Sequence, residues 1–312
     1  MPDLSEIGDP TALRNRYSGR TIFMVEGPGD KNAFESIVGP GFEADLEFQV
    51  APHLSGTGLG GCRAVRDRIR ADRSSNPKLY GLLDGEAAAA LGAVDDLLTA
   101  KDRLFTPADP ALDLEGCLFI SVHELENLYF GEVDFCGKLA DHAPAARLHL
   151  QSRQTIAETF ETCLGLFVTA AQYKYASADL HFRNLVRGII NTKIFGSGDR
   201  AALRPHLEPI ITSTGQTTWT GFRARVVEIM LRMRSIAREA GWDRQEHKAW
   251  RVRMADGKQL LTKLRETHGG IGDAVEGHLL KALAESNYPT AFRRELFALT
   301  GLEPSTSPQQ AL

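Results

Sequence analysis

The sequence predicts an α/β protein: a parallel sheet flanked by helices over residues 1–145, a mainly helical region with a basic surface over residues 146–300, and a disordered tail over 301–312. Three observations lead there. Residues 20–125 alternate short apolar runs with stretches whose apolar positions recur at helical spacing, the signature of strands and helices in turn, which favours a parallel sheet. From about residue 150 helical spacing continues without convincing strands. The charge balance also reverses: residues 1–180 hold 16 basic and 27 acidic side chains, residues 181–294 hold 20 and 11.

Strands are expected at residues 20–26, 46–50, 78–84 and 116–122, where β-branched and aromatic residues cluster between turn formers. Helices are expected at 30–38 and 62–73, and the alanine run 87–90 opens another. Farther on, "TIAETFETCLGLFVTAAQYKYA", "LHFRNLVRGIIN", "GFRARVVEIMLRMRSIAREA" and "AVEGHLLKALAES" carry apolar residues at helical spacing. The tail "EPSTSPQQAL" is polar and contains proline, a composition that cannot form a core.

At 312 residues and 43% hydrophobic content the chain can bury a substantial core. No stretch approaches the roughly 20 apolar residues of a membrane span, and "MPDLSEIGDP" lacks the basic-then-apolar order of a signal peptide, so the expected location is the cytoplasm. Cys62, Cys117, Cys136 and Cys163 form no C-x-x-C pair, which signals neither a zinc site nor a disulfide framework. The formal charge is −4. Within it the basic region 181–294 suits either a solvated helical surface or a nucleic-acid surface.

Carboxylates stand at the ends of predicted strands: Glu26 after "RTIFMV", Asp84 after "KLYGLL", and Glu86 in "LLDGEAA". The carboxyl edge of a parallel sheet is where ligands bind, and crowded carboxylates repel unless a cation joins them. Hard oxygen donors, with no nearby His or Cys recognised in the sequence, select Mg2+ or Mn2+. Each acid taken singly is also what a helix N-cap or a solvated loop requires. Glycine follows Glu26 and separates Asp84 from Glu86, so the backbone is free to bend at both places.

These residues resemble the TOPRIM fold of topoisomerases, bacterial primases and overcoming-lysogenization-defect (OLD) nucleases. That family carries a glutamate in a "VEG"-like turn after its first strand and a D-x-D pair after its third. Here "VEGPGD" supplies Glu26 and Asp30, and "LLDGE" supplies Asp84 and Glu86, with Glu in the last place where the family more often has Asp. The resemblance covers residues 20–125. "FISVHELENLYF" and "ADGKQLLTKL" (residues 255–264) look like stretches of TOPRIM proteins that accompany ABC-type ATPases, nearest in kind to the AriB-type effectors of PARIS anti-phage defence.

The resemblance implies a cytoplasmic, Mg2+-dependent nuclease, with Mn2+ as a substitute, that acts as a toxin-like effector under the control of a partner ABC-type ATPase. It implies Glu26, Asp84 and Glu86 as catalytic residues, and Glu26, Asp30, Asp84 and Glu86 as metal ligands, Glu26 being a ligand or the general base. Glu124 and Glu126 are further candidate ligands, or simply acids near the start of a helix. Lys258 is a candidate for binding substrate phosphate. The substrate is DNA or RNA, with tRNA included, and a homodimer is an expected assembly. A topoisomerase would need a separate DNA-gate domain and a primase usually a zinc module.

Two other readings compete. A TOPRIM-like module could bind an ATPase or nucleic acid without catalysis. "GTGLGG", residues 56–61, matches a dinucleotide-binding fingerprint, which would make the chain an oxidoreductase. That stretch follows the second predicted strand after five intervening residues, whereas the fingerprint turns directly off the first. No G-K-[ST] follows its glycines, so it is not a Walker A loop.

Overall fold

The computed structural model describes residues 19–51, 61–91, 93–99, 104–107, 114–141, 152–179, 186, 188–190, 203–268 and 274–302. It contains a five-stranded sheet in the order β2-β1-β3-β5-β4. The strands are β1 (Thr21–Val25), β2 (Leu46–Val50), β3 (Leu79–Leu83), β4 (Phe105–Pro107) and β5 (Cys117–Ile120). Both pairings of β1 are parallel, with Phe23 opposite Phe48 and Ile22 opposite Leu79. The α/β class with a mostly parallel sheet is therefore observed. Arg20 and Glu26 fall just outside β1, and β4 has only three residues, too few for a period to show.

Contacts gather the chain into two compact units. The first comprises Met1–Leu83, Pro107–Leu118 and Asn287–Leu312, the second Asp84–Thr106 and Phe119–Ser286. The units are interleaved along the chain, whereas the change from alternating to purely helical pattern is sequential.

In the first unit β1 is buried along its whole length, as befits a strand with neighbours on both edges and helices on its faces. Helix α1 (Pro28–Val38) starts on Gly27 with a proline in its first turn and ends at Gly39, whose φ of 77° suits glycine. Helix α2 (Cys62–Asp72) packs on β3. At their contact a Cβ on Gly81 would lie 2.9 Å from Val65 Cγ1 and 3.2 Å from Cys117 Sγ, so the close approach needs glycine. The aromatic rings of Phe23, Phe48, Phe34 and Phe292 form a chain with centroid separations of 5.5, 5.8 and 6.1 Å. Phe292 comes from the last described helix, Tyr288–Thr300, and its neighbour Arg293 donates to Val38 O at 2.8 Å, closing the end of α1. Gly301 and Leu302 terminate that last helix through Leu302 N–H on Phe297 O; residues 303–312 of the expected tail lie outside the described residues.

The second unit is helical around one long element. Helices α3 (Gly85–Ala90), α4 (Val94–Thr99), α5 (Glu126–Glu132) and α6 (Phe135–Asp141) are short, and α7 (Arg153–Asp179) spans 27 residues. They are followed by α8 (Arg204–Thr214), α9 (Trp219–Glu239), α10 (Arg244–Arg253), α11 (Gly257–Thr267) and α12 (Ala274–Ala284); the Tyr288–Thr300 helix of the first unit is α13. Helices α3, α6, α9, α10 and α11 all pack on α7. Every residue of α7 from 167 to 178 is buried, which is why its C-terminal half is apolar nearly all round. Of the predicted helix at 180–191 only residues 186 and 188–190 are described, all of them helical. Among the described residues no helix is long and apolar enough to cross a membrane.

Phe292 is fully buried whereas Leu299 on the same helix is 37% exposed. In urea unfolding, Phe292→Ala should cost about 3–5 kcal/mol, and Leu299→Ala should stay within about 0.5 kcal/mol.

Candidate metal centre

The chain leaves β3 at Leu83 and turns directly into α3. Asp84 caps that helix, accepting from Ala87 N–H through Oδ1 at 3.3 Å. Gly85 N–H then donates to Val122 O at 2.9 Å, and Glu86 N–H to His123 O at 2.6 Å. A Cβ on Gly85 would stand 2.0 Å from Val122 O, and Gly85 is not among the positive-φ glycines. Its glycine is therefore required by the close approach of two backbones, not by the bend anticipated from the sequence.

These two hydrogen bonds bring Glu86 to the segment that follows β5. Ligand atoms of Glu86, His123 and Glu124 all lie within 4.8 Å of one another. The three residues are 5%, 0% and 0% exposed. Glu124 is held at both ends. Its N–H donates to Asn127 Oδ1 at 2.8 Å, and its Oε2 accepts the backbone N–H of Lys258 at 2.8 Å. Its other oxygen, Oε1, is buried with no hydrogen-bond partner among the described residues. An orphaned buried carboxylate oxygen is costly in an apolar setting, and a cation beside Glu86 and His123 would satisfy it. The donor set thus fits a metal ion. It also corrects the expectation of oxygen donors alone, since His123, read from sequence as part of a helix start, stands among the carboxylates.

His123 is oriented from α7. Its Nδ1 lies 2.7 Å from the Tyr175 hydroxyl, and the rings meet edge to face with centroids 5.0 Å apart. Burial, with the Glu86, Glu124, Asp84 and Asp256 carboxylates adding to it, raises the Tyr175 hydroxyl well above its ordinary value, so it stays a neutral phenol. Beside it Lys174, 2% exposed, pairs with fully buried Asp256. Asp256 in turn caps α11 by accepting from Gln259 N–H at 3.2 Å.

The segment before α11 is fastened to the segment after β5. His123 N–H donates to Arg253 O at 2.7 Å, and the Arg253 guanidinium donates twice to Ser121 O, at 3.0 and 2.7 Å. The Asn127 amide donates to Val252 O at 2.6 Å and Ala255 O at 2.9 Å. A Cβ on Gly257 would meet Asn127 Oδ1 at 2.6 Å. "ELEN" and "ADGK" are thus two halves of one joint.

Lys258 opens to solvent with a 44% exposed side chain, its Nζ 3.9 Å from Asp84 Oδ2. Partial burial acts to lower its pKa, but the Asp84, Glu126, Glu124 and Glu86 carboxylates outweigh this and raise it. Glu126 is half-buried, with Oε2 lacking a hydrogen-bond partner among the described residues. Desolvation pushes it up to about 7, with Lys258 opposing and Glu124 adding.

Glu26 and Asp30 belong to the first unit. The Glu26 carboxylate approaches Gly61, where a Cβ would lie 2.9 Å from Oε2. Gly61 caps α2 with φ of 66°, so Glu26 stands near a helix N-terminus, a favourable place for negative charge. Asp30 lies in the first turn of α1. Of "GTGLGG" only Gly61 is described; residues 56–60 lie outside the described residues.

The sequence does not mark His123 as a ligand, nor Lys174 and Tyr175 as its surroundings, and it offers Asn127 only as the last residue of "ELEN". The one local signal was a lysine within the apolar stretch of α7.

Replacing the Asn127 amide by a carboxylate sets acceptor against acceptor, so Asn127→Asp should cost about 2–3 kcal/mol by urea unfolding. Lys174→Met should cost about 3–5 kcal/mol by leaving Asp256 buried without its cation, and a second change, Asp256→Asn, should recover part of that loss. Comparison of the chain with protein-family models and with curated proteins finds no match.

Proposed function

We propose that the chain is a divalent-metal-dependent nuclease that hydrolyses phosphodiester bonds. The observation that carries this reading is the buried triad of Glu86, His123 and Glu124 within 4.8 Å, together with Glu124 Oε1, which has no hydrogen-bond partner among the described residues. A bound divalent ion at such a centre supplies an activated water and neutralises charge developing on phosphate oxygens. The chain's own groups do the rest. Lys258 N–H fixes the Glu124 carboxylate, and the exposed Lys258 ammonium is available to a non-bridging phosphate oxygen. Arg223, Arg232, Arg234 and Arg238 are exposed on α9 and suit a nucleic-acid backbone.

The TOPRIM resemblance extends this reading to a toxin-like effector of anti-phage defence, restrained by an ABC-type ATPase partner and acting as a homodimer in the cytoplasm, with tRNA among its substrates. Glu26, as ligand or general base, and Asp30, as ligand, enter through that resemblance. Asp84 enters through it as well; Asp84 also caps α3 and faces Lys258.

Purified protein incubated with plasmid DNA and with total tRNA should cleave at least one of them when Mg2+ or Mn2+ is present and neither with chelator. Raising salt from about 50 to about 200 mM should weaken cleavage. Glu86→Gln and Glu26→Ala should each lower the rate by about 100-fold or more. Failure to cleave either substrate at high protein concentration with either ion would overturn a free-standing nuclease.

A further inference from the structure

We propose that the centre takes a first-row transition ion in preference to Mg2+, with the His123 imidazole as a direct ligand that Tyr175 orients. This rests on the reading of Glu86, His123 and Glu124 as a metal centre and adds the class of ion.

The donor chemistry comes first. Mg2+ favours oxygen ligands in near-ideal octahedra, loses water reluctantly, and usually keeps several waters when bound. The triad offers the opposite: one nitrogen and two carboxylates, all at 5% exposure or less. Imidazole is a donor for transition ions, and mixed nitrogen and carboxylate sets suit them generally. The spacing is compatible with a shared ion: two ligands at about 2.1 Å from one ion are at most about 4.2 Å apart, and the ligand atoms of the triad lie within 4.8 Å of one another.

The second observation is the support for the imidazole. Metal-binding histidines hold their other ring nitrogen in a hydrogen bond, which fixes both tautomer and ring orientation. Tyr175 provides that bond at His123 Nδ1, 2.7 Å away, from a fully buried position on α7. In the tautomer whose Nδ1–H donates to the phenol oxygen, the lone pair lies on Nε2, the nitrogen that an ion would take. The third observation is Glu124, fully buried, with Oε2 fixed by Lys258 N–H and Oε1 lacking a hydrogen-bond partner among the described residues. The centre is therefore more than a group of acids: an imidazole held by Tyr175 and a carboxylate with one oxygen lacking a hydrogen-bond partner among the described residues stand with Glu86. Tyr175 is a positioning residue here, since it acts through His123.

The test uses the full chain stripped with chelator and reloaded with Mn2+ alone, and reads binding rather than cleavage. Pulsed electron paramagnetic resonance should show nitrogen modulation on bound Mn2+, converted to the 15N pattern when the protein is made with 15N-histidine. His123→Gln should abolish it, which separates His123 from the other histidines among the nine in the chain. Tyr175→Phe should weaken Mn2+ binding about tenfold and alter the nitrogen coupling, and it identifies the ligand should the Gln variant not fold. Equimolar Mg2+ should leave Mn2+ in place. Bound Mn2+ without nitrogen modulation, or ready displacement by equimolar Mg2+, would overturn the proposal and leave the hydrolase reading standing. Failure to retain Mn2+ at all would overturn both.

Discussion

Two carboxylates and an imidazole buried side by side impose the cost around which the second unit is organised. Taking an ionised carboxylate out of water costs several kcal/mol even after relaxation, and Glu86 and Glu124 add mutual repulsion. Neighbouring groups offset part of this. Lys258 supplies a backbone N–H to Glu124 and an ammonium near Asp84, while Lys174 is committed to Asp256. A cation that entered beside these carboxylates would add to the stability of the folded chain. Stability and ligand binding are then coupled by mass action, since an ion that binds the folded chain alone shifts the folding equilibrium.

Holding such groups in register takes more than the triad. Four stretches remote in sequence are fastened together: the start of α3, the segment after β5, the turn from α10 into α11, and the C-terminal half of α7. Backbone groups make most of the joints, as in Gly85 to Val122, Glu86 to His123 and His123 to Arg253. Asn127 satisfies one N–H and two carbonyls at once, so its amide cannot be replaced by an isosteric acid. Gly85 and Gly257 are where backbone or amide comes closest. The motif-like character of "ELEN" and "ADGK" has a physical source in this joint: each contains the group that the other cannot do without.

Much of the fold was readable locally. β1 and β3 are five-residue, largely apolar runs and β2 alternates apolar with polar residues, and period and punctuation locate such strands to within a residue or so. Helix α7 and helix α9 announce themselves by length. The short pieces β4, α5 and α6 do not, because three to seven residues hold less than two periods. The α13 helix has a clear amphipathic pattern, yet only packing shows that it returns to Phe34 in the first unit.

The candidate site divides along the same line. Charge at a strand end is a local property, so Asp84 and Glu86 could be singled out from "LLDGE", and Glu124 from its place after β5. Tertiary structure decided the rest. The imidazole of His123 joins the carboxylates because Glu86 N–H bonds His123 O, and it is aligned because α7 delivers Tyr175 from 52 residues away. Asp84 serves a helix cap and an ion pair because α3 starts where β3 stops. Strand ends and apolar periods are encoded within a few residues of themselves. Which donors meet is set by long-range hydrogen bonds and by the burial that makes each unsatisfied oxygen costly, and neither exists until the chain has folded.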